Sequence, residues 1–124
     1  MDSKGISRVN VLGVGVSAID LPTAIQTIDR WIDSQESRYV CVTGVHGVIE
    51  SQRNPLIRKI HNQAGLVTPD GMPLVWICRA SGYPGTKRVY GPDLMRNLCE
   101  QSIRKGYRHF LYGGDVSVAD QLAE

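Results

Sequence analysis

A single carboxylate, that of Asp70, lies in the turn whose residue types point most clearly to chemistry. The turn follows the short apolar pair Leu66 and Val67 and precedes an apolar segment with helical spacing. Pro69 fixes φ before the carboxylate, and Gly71 gives the backbone freedom after it. Open α/β sheets bind ligands at the C-terminal ends of their strands, so Asp70 is a candidate for binding or catalysis. The alternative, which turn chemistry alone favours, is an aspartate that caps the following helix.

A second candidate group follows the apolar run 39–43, which we expect to form a strand buried on both faces. Gly44 at the end of that strand would let backbone N–H groups approach an anion or a sugar closely. The Thr43 hydroxyl would donate to a substrate oxygen, and His46 would act as a general base. The alternatives are a plain strand-to-helix turn capped by Thr43 and a histidine with a surface or capping role.

Two further groups lie later in the chain. Arg88 is suited to neutralising a diphosphate, and Asp93 to binding a sugar hydroxyl, unless Asp93 caps its own helix. Gly113 and Gly114 stand between an expected strand and an expected helix, where nucleotide phosphates or ribose commonly bind. No Lys-Ser/Thr pair follows them, so they do not form a P-loop.

Two other patterns are weaker. Residues 13–18 match the loose dinucleotide pattern G-x-G-x-x-G/A, but the helix signal comes only at Asp20, so we expect these glycines to serve a bulge or turn. A hydrolase built from Cys41, His46 and Asp70 is disfavoured. Cys41 falls inside the strand run rather than at a helix N-terminus, where a thiolate would be stabilised.

The elements that must position these residues follow from apolar periodicity and turn residues. Strands are predicted at Val9–Val16, either as one strand or turning back as a hairpin, and at Tyr39–Thr43, Leu66–Val67 and Tyr107–Tyr112; helices are predicted after Asp20, after Asn54, from Met72 to near Gly82, from Pro92 to Gly106, and from Ser117 through Leu122. Alternating strands and helices predict a Rossmann-like, layered α/β fold with a mostly parallel sheet, as one domain over residues 1–124. Because the last helix has no strand after it, we expect the front portion of a larger domain.

Composition excludes several classes of protein. The 124 residues carry a formal net charge of +2 with acids and bases interspersed, and no basic run suggests nucleic acid. The longest apolar stretches are far short of the roughly 20 residues of a membrane span, and residues 1–5 do not resemble a secretory signal. Cys41, Cys78 and Cys99 are odd in number and widely spaced. They predict reduced core cysteines in a cytosolic protein, without a disulfide set or a zinc site.

Taken in order, these segments resemble the WecG/TagA/CpsF glycosyltransferase family. The Pro-Asp-Gly motif, the Arg-Val-x-Gly-x-Asp-Leu-Met motif and the Gly-Gly strand end are fairly specific as a set, and the resemblance covers nearly the whole chain. The segments that carry it are Val42–Gly47, Asn54–Pro55, Leu66–Trp76, Arg88–Met95 and Gly106–Gly114.

The resemblance implies an inverting hexosyltransferase. Family members are cytosolic enzymes that move a sugar, typically N-acetylmannosamine or its uronic acid, from a UDP-sugar to a lipid-linked polyprenyl diphosphate acceptor. They work at the inner face of the membrane, in the synthesis of teichoic acid linkage units and cell-surface polysaccharides. No bound cofactor or obligatory metal is implied. The expected partners are therefore a UDP-sugar, a lipid-linked acceptor and the membrane surface, and association into homo-oligomers is left open.

The resemblance also assigns roles to residues. Asp70 becomes the base that takes the proton of the acceptor hydroxyl. Thr43 would hold the donor sugar or diphosphate, and Arg88 would offset the charge that builds on the leaving UDP. Gly113 and Gly114 would let the nucleotide approach the backbone. The remaining positions expected to bind substrate are Gly44, His46, Gly71, Gly91 and Asp93.

Two departures from the family pattern bear on function. Val45 stands where many members carry an asparagine two residues after the threonine, so a donor contact is lost or is made by His46. Family chains are also much longer, and the absent part would complete the UDP site and the basic membrane-facing appendage. Activity of these 124 residues alone is therefore left open. The alternative from another class is a non-catalytic nucleotide-binding or interaction module.

Overall fold

The computed structural model describes residues 6–124, and Met1–Gly5, on which the secretory-signal prediction rested, lie outside them. The strands are β1 (Arg8–Val11), β2 (Val14–Ser17), β3 (Val40–Thr43) and β4 (Leu66–Pro69); the helices are α1 (Leu21–Asp33), α2 (Val45–Arg53), α3 (Pro55–Gln63), α4 (Met72–Ala80), α5 (Gly91–Lys105) and α6 (Val118–Ala123). The predicted mixed α/β class is confirmed. Of the two sheets in the described part, β3–β4 is parallel and β1–β2 antiparallel, which differs from one mostly parallel sheet.

The first two strands form a tight hairpin. Leu12 and Gly13 connect them, and both have positive φ, 50° and 92°, as the turns of two-residue hairpins require. Gly15 lies within β2, opposite Asn10. The Gly-x-Gly pattern therefore turns a hairpin instead of opening a helix towards a pyrophosphate. The predicted turn is confirmed, and the weaker dinucleotide interpretation is wrong.

The parallel pair β3–β4 sets the place of the candidate site. Val40 pairs with Leu66 and Thr43 with Pro69, so the two strands end side by side. The Asp70 backbone N–H donates to the Thr43 carbonyl at 2.9 Å and extends the pairing by one residue. The C-terminal ends of parallel strands lie at the same edge of a sheet. Thr43 and Asp70, both predicted site residues and 27 positions apart in the sequence, are therefore neighbours.

Two apolar cores lie on opposite faces of this strand pair. Leu66 and Val67 are consecutive on β4 and point to opposite faces, and each enters a different core. The first core joins the hairpin to α2 and α4; the second joins α1 to α5. Burying one such aliphatic side chain is worth about 1.5–3 kcal/mol, so β4, with all four residues buried, is the best-anchored strand.

Local signals explain most helix boundaries. The Asp20 carboxylate accepts from the Thr23 N–H at 3.0 Å and starts α1. Hydrogen bonding from the Thr23 side chain, and then from this N–H, lowers the pKa of Asp20. Asn54 starts α3 in the same way, by accepting from the Leu56 N–H. Gly106 ends α5 in the left-handed conformation, with φ of 72°. Helix α2 was not predicted as such, because its N-cap residue is Gly44 and no side chain caps it.

Two strand predictions need correction. The strand expected at Tyr107–Tyr112 is not formed, and Phe110 and Tyr112 are exposed. β3 is a strand as predicted, but it is not buried on both faces. Val42 is 41% exposed and faces a shallow apolar groove between α1 and α5. Among the described residues, no helix is long and apolar enough to cross a membrane.

The cysteines are not equivalent, although all three were expected in the core. Cys78 is buried, Cys41 is half-buried and Cys99 is exposed on α5. Burial raises the pKa of the Cys41 and Cys78 thiols, and the thiolate is the reactive form. We expect iodoacetamide at pH 8 to alkylate Cys99 well before the other two, as followed by peptide mass spectrometry. In denaturant all three should react alike; equal rates in the native chain would contradict the burial.

Candidate active site

Asp70 lies immediately after β4 with its carboxylate at the surface of the turn. The side chain is 25% exposed. The N-cap position of α4 is occupied by Gly71, and no side chain accepts from the first amides of that helix. The capping interpretation of Asp70 is therefore wrong. The carboxylate is directed to a partner from another part of the chain.

That partner is Arg88. Its Nε lies 3.2 Å from Asp70 Oδ1 and 3.4 Å from the Asp70 main-chain oxygen. The guanidinium also lies over the Tyr90 ring, with Arg88 Cζ 4.6 Å from the ring centroid. The Val89 N–H donates to the Pro69 carbonyl at 2.8 Å, so residues 88–90 are held beside the end of β4. The structure thus brings together two of the sequence-predicted site residues.

Gly91 lies beside the second carboxylate oxygen of Asp70. A Cβ at this position would lie 3.8 Å from Asp70 Oδ2 and 3.5 Å from Val42 Cγ1. In the part of the chain that the structure describes, Oδ2 accepts no hydrogen bond. One oxygen of Asp70 is held by the Arg88 guanidinium, and the other has no hydrogen-bond donor among the described residues. A carboxylate arranged in this way can accept a proton from a hydroxyl.

Thr43, Gly44 and Gly71 complete the immediate surroundings. A Cβ on Gly71 would lie 4.0 Å from Gly44 Cα, so α2 and α4 begin next to each other. Neither N-terminus has a side-chain cap, which leaves first-turn amides available to an anion. Thr43 is buried and donates its hydroxyl to the Cys41 carbonyl at 3.3 Å. The alternative interpretation of Thr43 as a helix cap is wrong, because Gly44 occupies that position.

Comparison with known proteins identifies the family of this chain. A family model described as the glycosyl transferase WecG/TagA/CpsF family matches residues 9–124. The chain belongs to this family. The matched range includes Asp70 and Arg88, and the resemblance inferred from the motifs is confirmed. No curated protein sequence matches the chain significantly. The chain is thus a member of a glycosyl transferase family, and its sugar, donor and acceptor are matters of proposal.

The other predicted positions on α2 and α5 are less closely tied to Asp70. His46 projects from α2 with its side chain 89% exposed, and its Nε2 lies 3.9 Å from Glu50 Oε1. The Asp93 carboxylate pairs with Arg96 at 2.9 Å within the first turns of α5. Tyr90, not Asp93, holds the N-cap position of that helix. The capping interpretation of Asp93 is wrong, and its role in sugar binding stays a prediction.

The Gly113-Gly114 pair lies in the exposed segment before α6. Both residues have positive φ, 107° and 75°. A Cβ at Gly113 would meet nothing within 4 Å, and one at Gly114 would meet Val118. The structure does not bring this pair beside Asp70. Its predicted approach to the nucleotide of a family substrate stays a prediction.

Two side chains near the site were missed by sequence reasoning. Tyr90 contacts Arg88 through its ring. Because side chains two residues apart in an extended segment point to the same side, the spacing of Arg88 and Tyr90 is the signal that could have identified Tyr90. Thr68 is fully buried, and its hydroxyl lacks a hydrogen-bond partner within the described structure. No sequence feature marks that hydroxyl. Across residues 6–124, no group of three or more His, Cys, Asp or Glu residues is arranged to hold a metal ion.

Proposed function

We propose that this site supports inverting transfer of a hexose from a UDP-sugar to a hydroxyl of a polyprenyl diphosphate-linked acceptor. The pathway would be cell-surface polysaccharide or teichoic acid synthesis, on the cytoplasmic side of the membrane. The observation that carries the proposal is the Asp70 carboxylate, whose Oδ1 accepts a hydrogen bond from Arg88 and whose Oδ2 lies beside Gly91 and accepts none within the described residues. Membership of a glycosyl transferase family supports the reaction class.

The chemistry is a single displacement. Oδ2 of Asp70 accepts the proton of the acceptor hydroxyl while the acceptor oxygen attacks C1 of the donor sugar. The bond between C1 and the UDP oxygen breaks, and its electron pair leaves with the diphosphate. Positioned base catalysis of this kind contributes about 10²–10⁴-fold to a rate. Attack from the face opposite the leaving group inverts the anomeric centre.

Arg88 is placed to receive the negative charge that develops on the leaving diphosphate. Its Nε is occupied by Asp70, but its terminal nitrogens donate to no group in the described residues. A guanidinium offers several in-plane donors that match phosphate oxygens. The neighbouring N-termini of α2 and α4 add partial positive charge at the same edge. Hydrogen-bond donors that are in place before the reaction stabilise the transition state without any rearrangement of the site.

Binding of UDP tests the role of Arg88. We expect the Arg88→Gln variant to bind UDP about 10- to 100-fold more weakly than the unchanged chain, because charge-assisted hydrogen bonds are worth about 1.5–3 kcal/mol. Isothermal titration calorimetry measures the change. A matched control is Arg104→Gln, which removes an arginine from the far end of α5. Equal affinities for Arg88→Gln and Arg104→Gln would contradict the assignment.

Turnover tests the reaction itself. The chain is incubated with UDP-N-acetylmannosamine and a polyprenyl diphosphate-linked sugar acceptor, and the product is examined by NMR for its anomeric configuration. An inverted linkage supports the proposal, and a retained one overturns it. UDP binding without turnover would favour the alternative of a non-catalytic nucleotide-binding module. A panel of UDP-sugars then identifies the donor.

The wider organisation stays a prediction. We propose that β3 and β4 belong to a Rossmann-like sheet of a glycosyltransferase domain. Sedimentation of the chain at several concentrations tests association into homo-oligomers.

A further inference from the structure

We propose that Tyr90 is a positioning residue, whose ring holds the Arg88 guanidinium in the orientation that serves Asp70 and the diphosphate. The inference rests on the proposed function and adds to it a residue to which no role was assigned. Arg88 Cζ lies 4.6 Å from the centroid of the Tyr90 ring, while Arg88 Nε donates to Asp70 Oδ1 at 3.2 Å. The guanidinium therefore contacts both an aromatic ring and a carboxylate.

The backbone places both side chains on one side of an extended segment. Val89, between them, is fully buried and donates its N–H to the Pro69 carbonyl. Side chains two residues apart in an extended chain point the same way, so burying Val89 directs Arg88 and Tyr90 to the open side. The Tyr90 carbonyl accepts from the Leu94 N–H at 2.9 Å, which ties the Tyr90 backbone to the first turn of α5.

Stacking orients the guanidinium without using its hydrogen-bond donors. The contact places Arg88 Cζ over the Tyr90 ring and uses none of the guanidinium N–H groups as a hydrogen-bond donor. Arg88 is about half exposed and has a long, flexible side chain. Without the ring it would lose more conformational freedom on engaging Asp70 and a diphosphate. Tyr90 thus limits the orientations of the Arg88 side chain before substrate binds, while the terminal nitrogens of Arg88 stay free to donate.

A spectroscopic test needs no substrate. A ring over the guanidinium shifts the Arg88 Hδ and Hε resonances upfield, and Arg88→Gln identifies them by their loss. We expect Tyr90→Phe to keep the shift and Tyr90→Leu to abolish it. Tyr83→Leu is the matched control, because Tyr83 is similarly exposed but lines a different cavity, beside Asp20. An unchanged Arg88 shift in Tyr90→Leu would overturn the inference.

A double-mutant cycle tests whether Tyr90 acts through Arg88. We expect Tyr90→Leu to reduce kcat/KM for sugar transfer about 2- to 5-fold, as the loss of an exposed cation–π contact implies. The same change should have no further effect in the Arg88→Gln background, and Tyr90→Phe should retain activity. Additive losses would overturn the positioning role. If no variant transfers sugar, the proposed function fails while the resonance shifts still decide the role of Tyr90.

Thermal unfolding of each variant is measured first, so that loss of fold is separated from loss of orientation. Tyr90 is partly exposed and contributes no side-chain cap to α5. We therefore expect Tyr90→Leu and Tyr83→Leu to melt close to the unchanged chain. If Tyr90→Leu unfolds, Tyr90→Gln, which also lacks an aromatic ring, is compared with Tyr90→Phe for the same Arg88 resonances, and an unchanged shift in Tyr90→Gln would overturn the inference.

Discussion

The Asp70→Asn variant is expected to transfer sugar about 10²–10⁴-fold more slowly than the unchanged chain, with its fold intact. Asparagine has nearly the same shape but cannot accept the proton of the acceptor hydroxyl. Asp70 lies at the surface of a turn and does not cap α4, so the exchange removes no helix cap. The loss should appear in kcat, because the proton is transferred during the chemical step.

Binding separates a catalytic base from a residue that merely holds substrate. The Asp70→Asn change leaves Arg88 without its carboxylate partner, so UDP should bind this variant at least as tightly as the unchanged chain. The control is Asp33→Asn, which makes the same chemical change to an exposed carboxylate paired with Lys105 at 3.7 Å. We expect that control to keep full turnover. A rate for Asp70→Asn within a few-fold of Asp33→Asn would remove Asp70 from the role of base.

Local chemistry made part of this fold predictable. The Asp20 and Asn54 caps, the Gly13 turn and the Gly106 helix end each depend on a few adjacent residues, and each was predicted. Helix α2 was missed because Gly44 carries no capping side chain. The strand at 107–112 was predicted from its apolar and aromatic residues. A strand forms only where a neighbour accepts its hydrogen bonds, which propensity alone cannot reveal.

The candidate site was also predictable only in part, because its contacts join residues that are far apart in the sequence. Turn chemistry favoured Asp70 as a cap, because nothing within a few residues competes for the carboxylate. The competitor is Arg88, 18 residues away, which the extended segment beside β4 brings into contact. Family motifs identified both residues as important but not that they form a pair. The stack of Tyr90 on Arg88 depends on the burial of Val89, which sequence spacing does not disclose.

The largest expected loss of stability is for Gly65→Ala, at the entrance to β4. A Cβ on Gly65 would lie 2.6 Å from Trp31 Cη2 and 2.8 Å from Trp31 Cζ2, closer than real contacts allow. The Trp31 ring is buried in the core between α1 and α5, so it has little room to withdraw. Overpacking of this kind lowers the free energy of unfolding by about 1–3 kcal/mol. Urea denaturation measures the change through its midpoint.

The matched control is Gly85→Ala, where an added Cβ meets nothing within 4 Å and the backbone is not left-handed. We expect that variant to remain within about 0.5 kcal/mol of the unchanged chain. Equal midpoints for Gly65→Ala and Gly85→Ala would contradict the packing at Trp31.

The strain that Gly65→Ala introduces also bears on the site, because the Gly65 N–H donates to the Tyr39 carbonyl at 2.9 Å and begins the pairing that ends at Thr43 and Asp70. If Trp31 holds its place, the backbone at Gly65 must move and loosen the start of that pairing. Backbone movement would weaken protection of the β4 amides against hydrogen exchange in Gly65→Ala, whereas displacement of the Trp31 ring alone would leave them protected. In the first case we expect turnover to fall with stability, since the register of β3 and β4 keeps Asp70 beside Thr43.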